Sequence, residues 1–369
     1  MILEEIRLNS FRLHLDTKLN FSDKINYIVG GNGQGKTSIL ESIYYLCTTK
    51  GLSQGNDFDA VNFGKESFEV SGFFKDLTKN KCRIFYSAES KKKSLFIDDK
   101  QVFKFSEVIG KFPVVTITQT DHSLTGGSPA DRRKFVDAVI SQSSSTYLEY
   151  LVEYNKTLRN RSALLSEIKE TRNKSLLSQL DSWTNSLINI GTEIIRSRII
   201  FIEEFEQYLE TAYQNILEGK ELPKIEYKTV SNYIEKIREE LTEKFRQIKE
   251  EEIYRGTNLA GPHRDDFIFT INNLEVKKFG SQGQHKTFQV ALRFGEFFYL
   301  KDKLGKTPIF LMDDVFGELD TYRSEKISGY LKKIGQAFIT MTDFSRYSDI
   351  YRREEDLLIN VTNGNISYA

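Results

Sequence analysis

The sequence of 369 residues predicts an α/β fold whose sheet-forming segments lie at the two ends of the chain, separated by a long helical block. Short apolar or alternating segments typical of strands run from residue 2 to about residue 117. From residue 128 to about 248, apolar residues recur at helical spacing and glycine and proline are rare. From residue 266 onward strands and helices alternate, which favours a parallel sheet with crossover helices.

The composition and net charge of the chain exclude several classes of function. Hydrophobic residues make up 39% and charged residues 28% of the chain, as in an ordinary globular protein. The 52 basic and 52 acidic side chains cancel, so any nucleic-acid contact must come from a local basic patch. Cys47 and Cys82 are the only cysteines, which excludes a disulfide framework and a four-cysteine zinc site. The amino terminus is acidic and no apolar stretch has membrane-spanning length, so we expect a cytoplasmic protein without a membrane partner.

Strands dominate the first third of the sequence. The apolar patterns predict strands at residues 2–8, 18–21 and 25–29, then antiparallel strands at 68–74, 82–86 and 94–97, and a buried strand at 112–117. The run Lys91-Lys92-Lys93 is predicted in one of the intervening turns. A solvated turn is the favoured interpretation, and a contact with DNA phosphate is the alternative.

A phosphate-loop pattern follows the third strand and precedes a helical segment, and it consists of Gly30, Gly31, Asn32, Gly33, Gln34, Gly35, Lys36 and Thr37, with Ser38 next. The glycines allow backbone N–H groups to turn toward a polyphosphate, and the helix adds its positive end. Lys36 is predicted to neutralise the β- and γ-phosphates, and the Thr37 hydroxyl to bind Mg²⁺. A strand, a loop and a helix in this order predict ATP and Mg²⁺ as cofactors rather than an ordinary glycine-rich turn.

The helical block divides the chain into three segments. Ser128-Pro129-Ala130-Asp131 has the form of a helix start, and the apolar stripes after it predict core packing between helices. The heptad-like run is too short for a long coiled coil. We therefore predict an ATPase domain split between residues 1–127 and 253–369, with a helical arm domain at 128–252 inserted between them.

Two carboxylates end an apolar strand near residue 313, about 275 residues after the phosphate loop. Asp313 is predicted to bind Mg²⁺ directly or through water, and Asp314 to polarise the attacking water. A capping device or a different metal site is the alternative. Because this strand is so far from the loop in sequence, the chain must leave the ATPase domain, form the helical block and then return to complete the same domain.

A third motif opens the helix before that strand. Ser281, Gly283 and Gln284 stand at a predicted helix N-terminus, where a hydroxyl and free N–H groups can bind an anion. Alone, the same residues are equally a common helix cap. Together with the other two motifs they are typical of the signature of ABC-type ATPases, which contacts the γ-phosphate held by a partner subunit. Residues 316–320, ending at Asp320, are then similar to the D-loop of the same interface.

The whole chain resembles the RecF family of bacterial recombination mediators. Besides the three motifs, the resemblance depends on residues 8–12, on 127–129 followed by Arg132 and Arg133, on Gly261-Pro262-His263-Arg264-Asp265-Asp266, and on 313–320. It implies a mixed-sheet ABC-type ATPase head, like those of SMC and double-strand-break repair ATPases, with a short helical arm. It also implies a homodimer formed on ATP, double-stranded DNA binding, slow hydrolysis, and cooperation with RecR and RecO to place RecA at gaps.

Two other functions stay open at this point. An ATPase subunit of a transporter would have its signature much closer to the phosphate loop and would lack the helical arm. A module that holds ATP to fix a dimer and scarcely hydrolyses it would have the same binding motifs, although Asp314 favours turnover.

Departures from the family pattern affect several residues. Residues 50–53 lack the Ser-Phe-Arg that is usual in the family at that place. Gln119 stands where the family often has proline. A glutamine there is a candidate Mg²⁺ ligand and catalytic sensor, as in ABC proteins. No histidine follows Thr340, which leaves Thr342 or Asp343 as substitutes for the ABC switch histidine.

Three cationic or titratable side chains near the family motifs have competing interpretations. For His263 a structural or interface role is preferred over metal binding, because the four histidines of the chain do not cluster. Arg132 and Arg133 can pair with local carboxylates or contact phosphate, and the sequence does not decide between these roles.

Overall fold

The computed structural model describes residues 1–52, 55–217, 221–318, 321–344 and 353–369. Its contacts divide the chain into two compact units, each discontinuous in sequence. The first unit comprises Met1–Asp121, Thr211–Gly219 and Val290–Ala369, and the second comprises His122–Glu210 and Lys220–Gln289. These limits differ from the sequence-based domain boundaries after residues 127 and 252, which stay a prediction.

The first unit contains an antiparallel sheet of six strands in the order β2-β1-β4-β5-β6-β7. The strands are β1 (Ile2–Phe11), β2 (His14–Asn20), β4 (Ser67–Lys75), β5 (Lys79–Ser87), β6 (Lys92–Ile97) and β7 (Lys100–Val102). Every second side chain of β4 is buried, as expected for a sheet with one face on the core. The buried face joins apolar side chains of α1 (Lys36–Thr48) in one cluster.

The predicted turn at Lys91-Lys92-Lys93 is wrong in part, because β6 already begins at Lys92. Lys93 Nζ donates to Thr49 O at 2.7 Å and forms an ion pair with Asp57 at 2.9 Å. The Lys93 side chain is only 14% exposed. The Lys93 charge therefore stabilises the segment after α1. A DNA contact is not needed to explain why a lysine stands at this position.

The mixed sheet of the first unit carries the predicted nucleotide motifs. Its order is β15-β14-β3-β13-β12-β8. The strands are β3 (Ile25–Val29), β8 (Val114–Ile117), β12 (Ile309–Asp313), β13 (Ala337–Met341), β14 (Leu357–Thr362) and β15 (Asn365–Tyr368). Neighbouring strands are parallel except for the β14-β15 hairpin. Because the carboxyl ends of parallel strands lie at one edge, the segments after β3, β8 and β12 lie at the same edge of this sheet.

Helices connect the strands of this sheet and form most of the second unit. They are α1, α2 (His122–Gly126), α3 (Pro129–Ser143), α4 (Ser145–Thr171), α5 (Leu177–Ile216), α6 (Ile237–Arg255), α7 (Val276–Phe279), α8 (Gln282–Leu304) and α9 (Thr321–Leu331). The predicted helix start is confirmed, since Ser128 caps α3, Pro129 is its first residue and Asp131 closes a capping box. Within the described ranges, no helix combines the length and apolar character needed to cross a bilayer.

A small sheet interrupts the predicted helical block. β9 (Pro223–Lys228) pairs antiparallel with β10 (Asp266–Ile271), which also pairs with β11 (Leu274–Glu275). The helical prediction is wrong for β9. Its side chains alternate strictly between buried and exposed, and Tyr227 stacks on Phe267 with ring centroids 4.6 Å apart. Pairing with a strand about 40 residues away thus determines its structure.

Candidate active site

The glycines of the phosphate loop adopt conformations that other residues resist. Gly33 and Gly35 have positive φ angles of 74° and 105°. A Cβ atom on Gly30 would lie 2.3 Å from the Val361 carbonyl oxygen, which leaves no room for a side chain. The loop therefore requires glycine at these positions, as the sequence pattern predicts.

Lys36 begins α1 and lies over the loop. Its Nζ atom donates to Gly30 O at 2.6 Å and to Gly31 O at 2.8 Å. Burial lowers the pKa of Lys36, and the carboxylates of Asp314 and Asp313 oppose that shift. The two loop carbonyls thus hold an ammonium group at the position where the motif requires a cation for phosphate.

Thr37 and Asp313 are brought together from opposite ends of the sequence. Thr37 Oγ1 donates to Asp313 Oδ1 at 3.0 Å. A hydroxyl and a carboxylate oxygen are hard ligands of the kind that Mg²⁺ prefers, and Mg²⁺ sites commonly use one or two carboxylates together with substrate phosphates. These two side chains could therefore hold Mg²⁺ beside a bound nucleotide. The described part of the chain has no cluster of three or more His, Cys, Asp or Glu side chains suited to a metal.

Thr340 bonds to the Asp313 carboxylate and to the Asp314 backbone, and the sequence patterns did not predict it. Its Oγ1 atom donates to Asp313 Oδ1 at 2.7 Å and accepts from Asp314 N at 2.9 Å. Thr340 is fully buried at the end of β13, in an otherwise apolar strand. Asp314 has a positive φ of 49°, so its backbone turns sharply where β12 ends. A lone hydroxyl at the carboxyl end of a neighbouring parallel strand is the signal that could have identified Thr340.

One cavity of about 190 Å³ collects most of the predicted first-unit residues. It is lined by Leu13, Asn32, Gly33, Gly35, Lys36, Thr37, Ser38, Asp313 and Asp314. Gly30 and Gly31 are outside the cavity lining, and their carbonyl oxygens accept hydrogen bonds from Lys36 Nζ. Gln34 is also outside the lining, and its side-chain oxygen accepts from the β14-β15 turn. Leu13 was not predicted, and it is 52% exposed. An exposed leucine beside the loop offers an apolar surface at the edge of a polar cavity.

Gln119 lies at the same edge of the sheet. It follows β8, which pairs in parallel with β12 so that Ile117 lies opposite Met312. This register places Gln119, an exposed residue, just past the strand ends that carry Asp313. The geometry is compatible with the predicted sensor role.

A buried charge cluster lies two residues beyond Gln119. Arg293 donates to Asp121 Oδ1 at 2.6 Å and to Glu296 Oε2 at 2.9 Å. Burial raises the pKa of Glu296 to about 7 even though Arg293 opposes the shift. This cluster was not predicted from the sequence, and it joins the segment after β8 to α8 within the first unit.

In the second unit, the signature residues form a helix cap. Ser281 N donates to Gln284 Oε1 at 2.9 Å, and Gln284 N donates to Ser281 Oγ at 3.2 Å, which is a capping box. Gln284 Nε2 also donates to Glu221 Oε1 at 2.8 Å, and Gly283 lies within the first turn of α8. The capping interpretation is therefore correct, and it leaves the proposed phosphate contact untested. Asp320 lies outside the described residues.

The basic residues of the family motifs form internal contacts in the second unit. Arg132 donates two hydrogen bonds of 2.9 Å to the Asp266 carboxylate, and Arg133 donates to Asp265 O at 2.6 Å. His263 Nδ1 lies 2.8 Å from the Tyr154 hydroxyl, and burial lowers its pKa to about 4. These contacts favour the structural alternative for each of the three residues.

Comparison with known proteins identifies the family. A family model described as the RecF/RecN/SMC N terminal domain matches residues 2–357. The DNA replication and repair protein RecF of Chloroherpeton thalassium is 40% identical over 360 residues, which cover 95% of this chain and 97% of that relative. The chain belongs to the RecF family. The RecF protein of Chlorobium phaeobacteroides, 37% identical over 93% of this chain and 96% of its own, supports the same assignment.

Solved structures agree with the predicted fold. A structure of the recombination mediator protein RecF with an ATP analogue, from the RecFOR pathway, superimposes with a TM-score of 0.90 at 28% identity. The match covers all of this chain and 98% of that one. An SMC head domain from Pyrococcus furiosus, at 15% identity and a TM-score of 0.56, supports the fold alone. The predicted ABC-type head fold is confirmed, and the chain is a member of an ATPase family.

Proposed function

We propose that this chain is an ATP-dependent DNA-binding protein of recombinational repair. ATP binding would join two copies, and the dimer would bind double-stranded DNA at gaps. With RecR and RecO, the complex would help load RecA, and slow hydrolysis would reset the dimer. The observation that carries the proposal is the convergence of Lys36, Thr37, Asp313 and Asp314 on one cavity in a chain of the RecF family.

The phosphate-loop cavity supports ATP as the ligand. The backbone of residues 32–35 and the Lys36 ammonium would hold the phosphates, and Thr37, Ser38 and Asp313 would face the β- and γ-phosphate end. When bound at Thr37 and Asp313, Mg²⁺ would neutralise charge on the phosphates. A solved RecF structure is described with ATP, which supports transfer of this ligand to the present chain.

Asp314 is the proposed general base. It lies directly after the residue whose carboxylate meets Thr37, and its backbone is fixed by the bond from its N–H to Thr340. Its carboxylate could accept a proton from water attacking the γ-phosphate. Gln119, at the same edge of the sheet, would orient that water or contact Mg²⁺.

Ser281, Gly283 and Gln284 are proposed to act on the nucleotide of the partner subunit. The capping box orients the Ser281 hydroxyl and the first N–H groups of α8 at one helix end. Such an end stabilises negative charge on a transferring phosphoryl group. Asp320 would lie in the D-loop of the same dimer interface.

DNA binding is proposed to depend on the dimer. The chain has no net charge, so one copy offers only local basic patches. A dimer would align two such patches along one duplex. RecR and RecO are proposed as partners because the related solved structure is assigned to the RecFOR pathway. RecA is proposed because the family resemblance implies it. A cytoplasmic location fits a role in DNA repair.

The test is a titration of duplex DNA with and without ATP at several salt concentrations. We expect tight binding only with ATP, with a log–log salt slope of about 0.9 for each phosphate neutralised. Equal affinity in both conditions would refute ATP gating. A transporter subunit would give no duplex binding at all, and a binding module would give ATP-dependent dimers with negligible phosphate release.

A further inference from the structure

The turn between β14 and β15 lies against the phosphate loop. Thr362 pairs with Asn365, so Asn363 and Gly364 form a two-residue turn, and both have positive φ angles, 49° and 78°. These angles are those of a type I′ hairpin. Gly364 N donates to Gln34 O at 3.0 Å, and Asn363 N donates to Gln34 Oε1 at 2.5 Å. The backbone carbonyl oxygen and the side-chain amide oxygen of Gln34 therefore both accept hydrogen bonds from this hairpin turn.

The first residue of β2 contacts the next residue of the loop. His14 is fully buried, and its Nε2 atom lies 3.1 Å from Gly35 O. A Cβ atom on Gly35 would lie 3.0 Å from that same nitrogen. The β1-β2 and β14-β15 turns also meet, because a Cβ atom on Gly364 would lie 3.0 Å from Leu13 O. Two hairpin turns thus enclose one side of the phosphate loop.

We propose that Gln34 is a positioning residue that fixes the phosphate loop to the C-terminal hairpin, which comprises β14, β15 and their turn. Among the described residues, Gly33 and Gly35 line the cavity and Gln34 does not. A glycine-rich loop loses much conformational entropy when it closes on a ligand. Fixing Gln34 at its carbonyl and its side chain orders the adjacent N–H groups in advance and strengthens ATP binding. The inference assumes that ATP binds this cavity, as proposed above.

The test replaces Gln34 with methionine, which has a similar volume but no amide oxygen to accept from Asn363 N–H. We expect the Kd for ATP to rise about tenfold, because the loop is less ordered before binding and ATP must then order it. The kcat at saturating ATP should stay within about twofold, because Lys36, Asp313 and Asp314 keep their contacts. A role in folding alone would lower the unfolding midpoint and leave the Kd unchanged.

Tyr368→Phe is the matched control. The Tyr368 hydroxyl accepts from Asn20 N at 2.8 Å, so this variant removes a bond of the same hairpin that does not involve the phosphate loop. Its Kd for ATP should stay within about twofold of the wild-type value. The inference is overturned if Gln34→Met binds ATP like the wild type, or if Tyr368→Phe weakens binding equally.

A second variant covers the case in which Gln34→Met fails to fold. Gly364→Ala strains a residue with positive φ and places its Cβ against Leu13 O, so it should displace the turn and raise the Kd for ATP. An unchanged Kd in this variant would also overturn the inference. If the wild-type chain binds no ATP, the proposed function itself is refuted.

Discussion

Thr340→Val tests whether the buried hydroxyl between the Asp313 carboxylate and the Asp314 backbone N–H supports catalysis. Valine keeps the shape of threonine but removes the bond donated to Asp313 Oδ1 and the acceptor used by Asp314 N. The site would keep its ligands and lose the group that orients them. Thr340 is therefore a better probe of positioning than either aspartate.

The expected magnitude follows from these two bonds. A hydrogen bond to a charged group contributes about 1.5–3 kcal/mol, and the unpaired N–H of Asp314 adds a cost of about 1–3 kcal/mol. Groups that orient metal ligands typically change metal affinity or activity by about 10–100-fold when they are removed. We therefore expect Thr340→Val to lower kcat for ATP by about 10–100-fold and to raise the Mg²⁺ concentration needed for half-maximal activity.

The assay is steady-state ATP hydrolysis at increasing Mg²⁺, together with urea unfolding. Thr340→Ser keeps the hydroxyl and should retain most of the activity. Thr192→Val removes another buried hydroxyl, one that donates to Ile188 O in α5, and should leave hydrolysis unchanged. Wild-type kcat and wild-type Mg²⁺ dependence in a folded Thr340→Val protein would show that the Thr340 hydroxyl does not position Asp313 for catalysis.

Further predictions concern the phosphate-loop lysine, the proposed general base, the signature serine and the buried charge cluster. Lys36→Ala should weaken ATP binding, whereas Asp314→Asn should keep binding and trap the dimer, as measured by nucleotide titration and light scattering; normal hydrolysis by Asp314→Asn would contradict its role as base. Ser281→Arg should abolish hydrolysis and dimerisation while keeping ATP binding. Mixing it with Lys36→Ala should restore some turnover, because one intact composite site can form. A mixture as inactive as each variant alone would count against action in trans. Glu296 has a folded pKa of about 7, above its unfolded value, so its stabilisation is present at low pH and is lost as pH rises from about 4.5 through 7. Glu296→Gln should remove that part of the pH dependence, on the order of 3 kcal/mol, in urea unfolding across this range; parallel stability curves for variant and wild type would contradict the assignment.

The elements predicted correctly depend on short-range patterns. The phosphate loop is recognisable because Gly33 and Gly35 need positive φ angles and Lys36 must begin the following helix. The Ser128 helix start and the strand ending at Asp313 are likewise encoded by a few consecutive residues. Within such windows, backbone sterics and hydrogen-bonding capacity restrict the conformation strongly.

Residues whose role depends on a distant partner were harder to predict. The lysine run predicts a turn that includes Lys93, yet the position of Lys93 is determined by Asp57 and Thr49. Arg132 could have contacted phosphate, and it pairs instead with Asp266, more than 130 residues away. The sequence around a charged residue does not reveal which distant group will neutralise its charge.

Short sequence patterns were enough to predict the family, the α/β class and the chemistry available to the phosphate loop and to Asp313 and Asp314. Three features became clear only in the folded chain: Pro223–Lys228 is a strand, Thr340 bonds to the Asp313 carboxylate and the Asp314 backbone, and Gln34 bonds to the C-terminal hairpin instead of lining the cavity. Sheet pairing and buried hydrogen bonds join residues that are far apart in the chain. Their free energy depends on which surfaces the folded chain brings into contact, and local propensity does not contain that information.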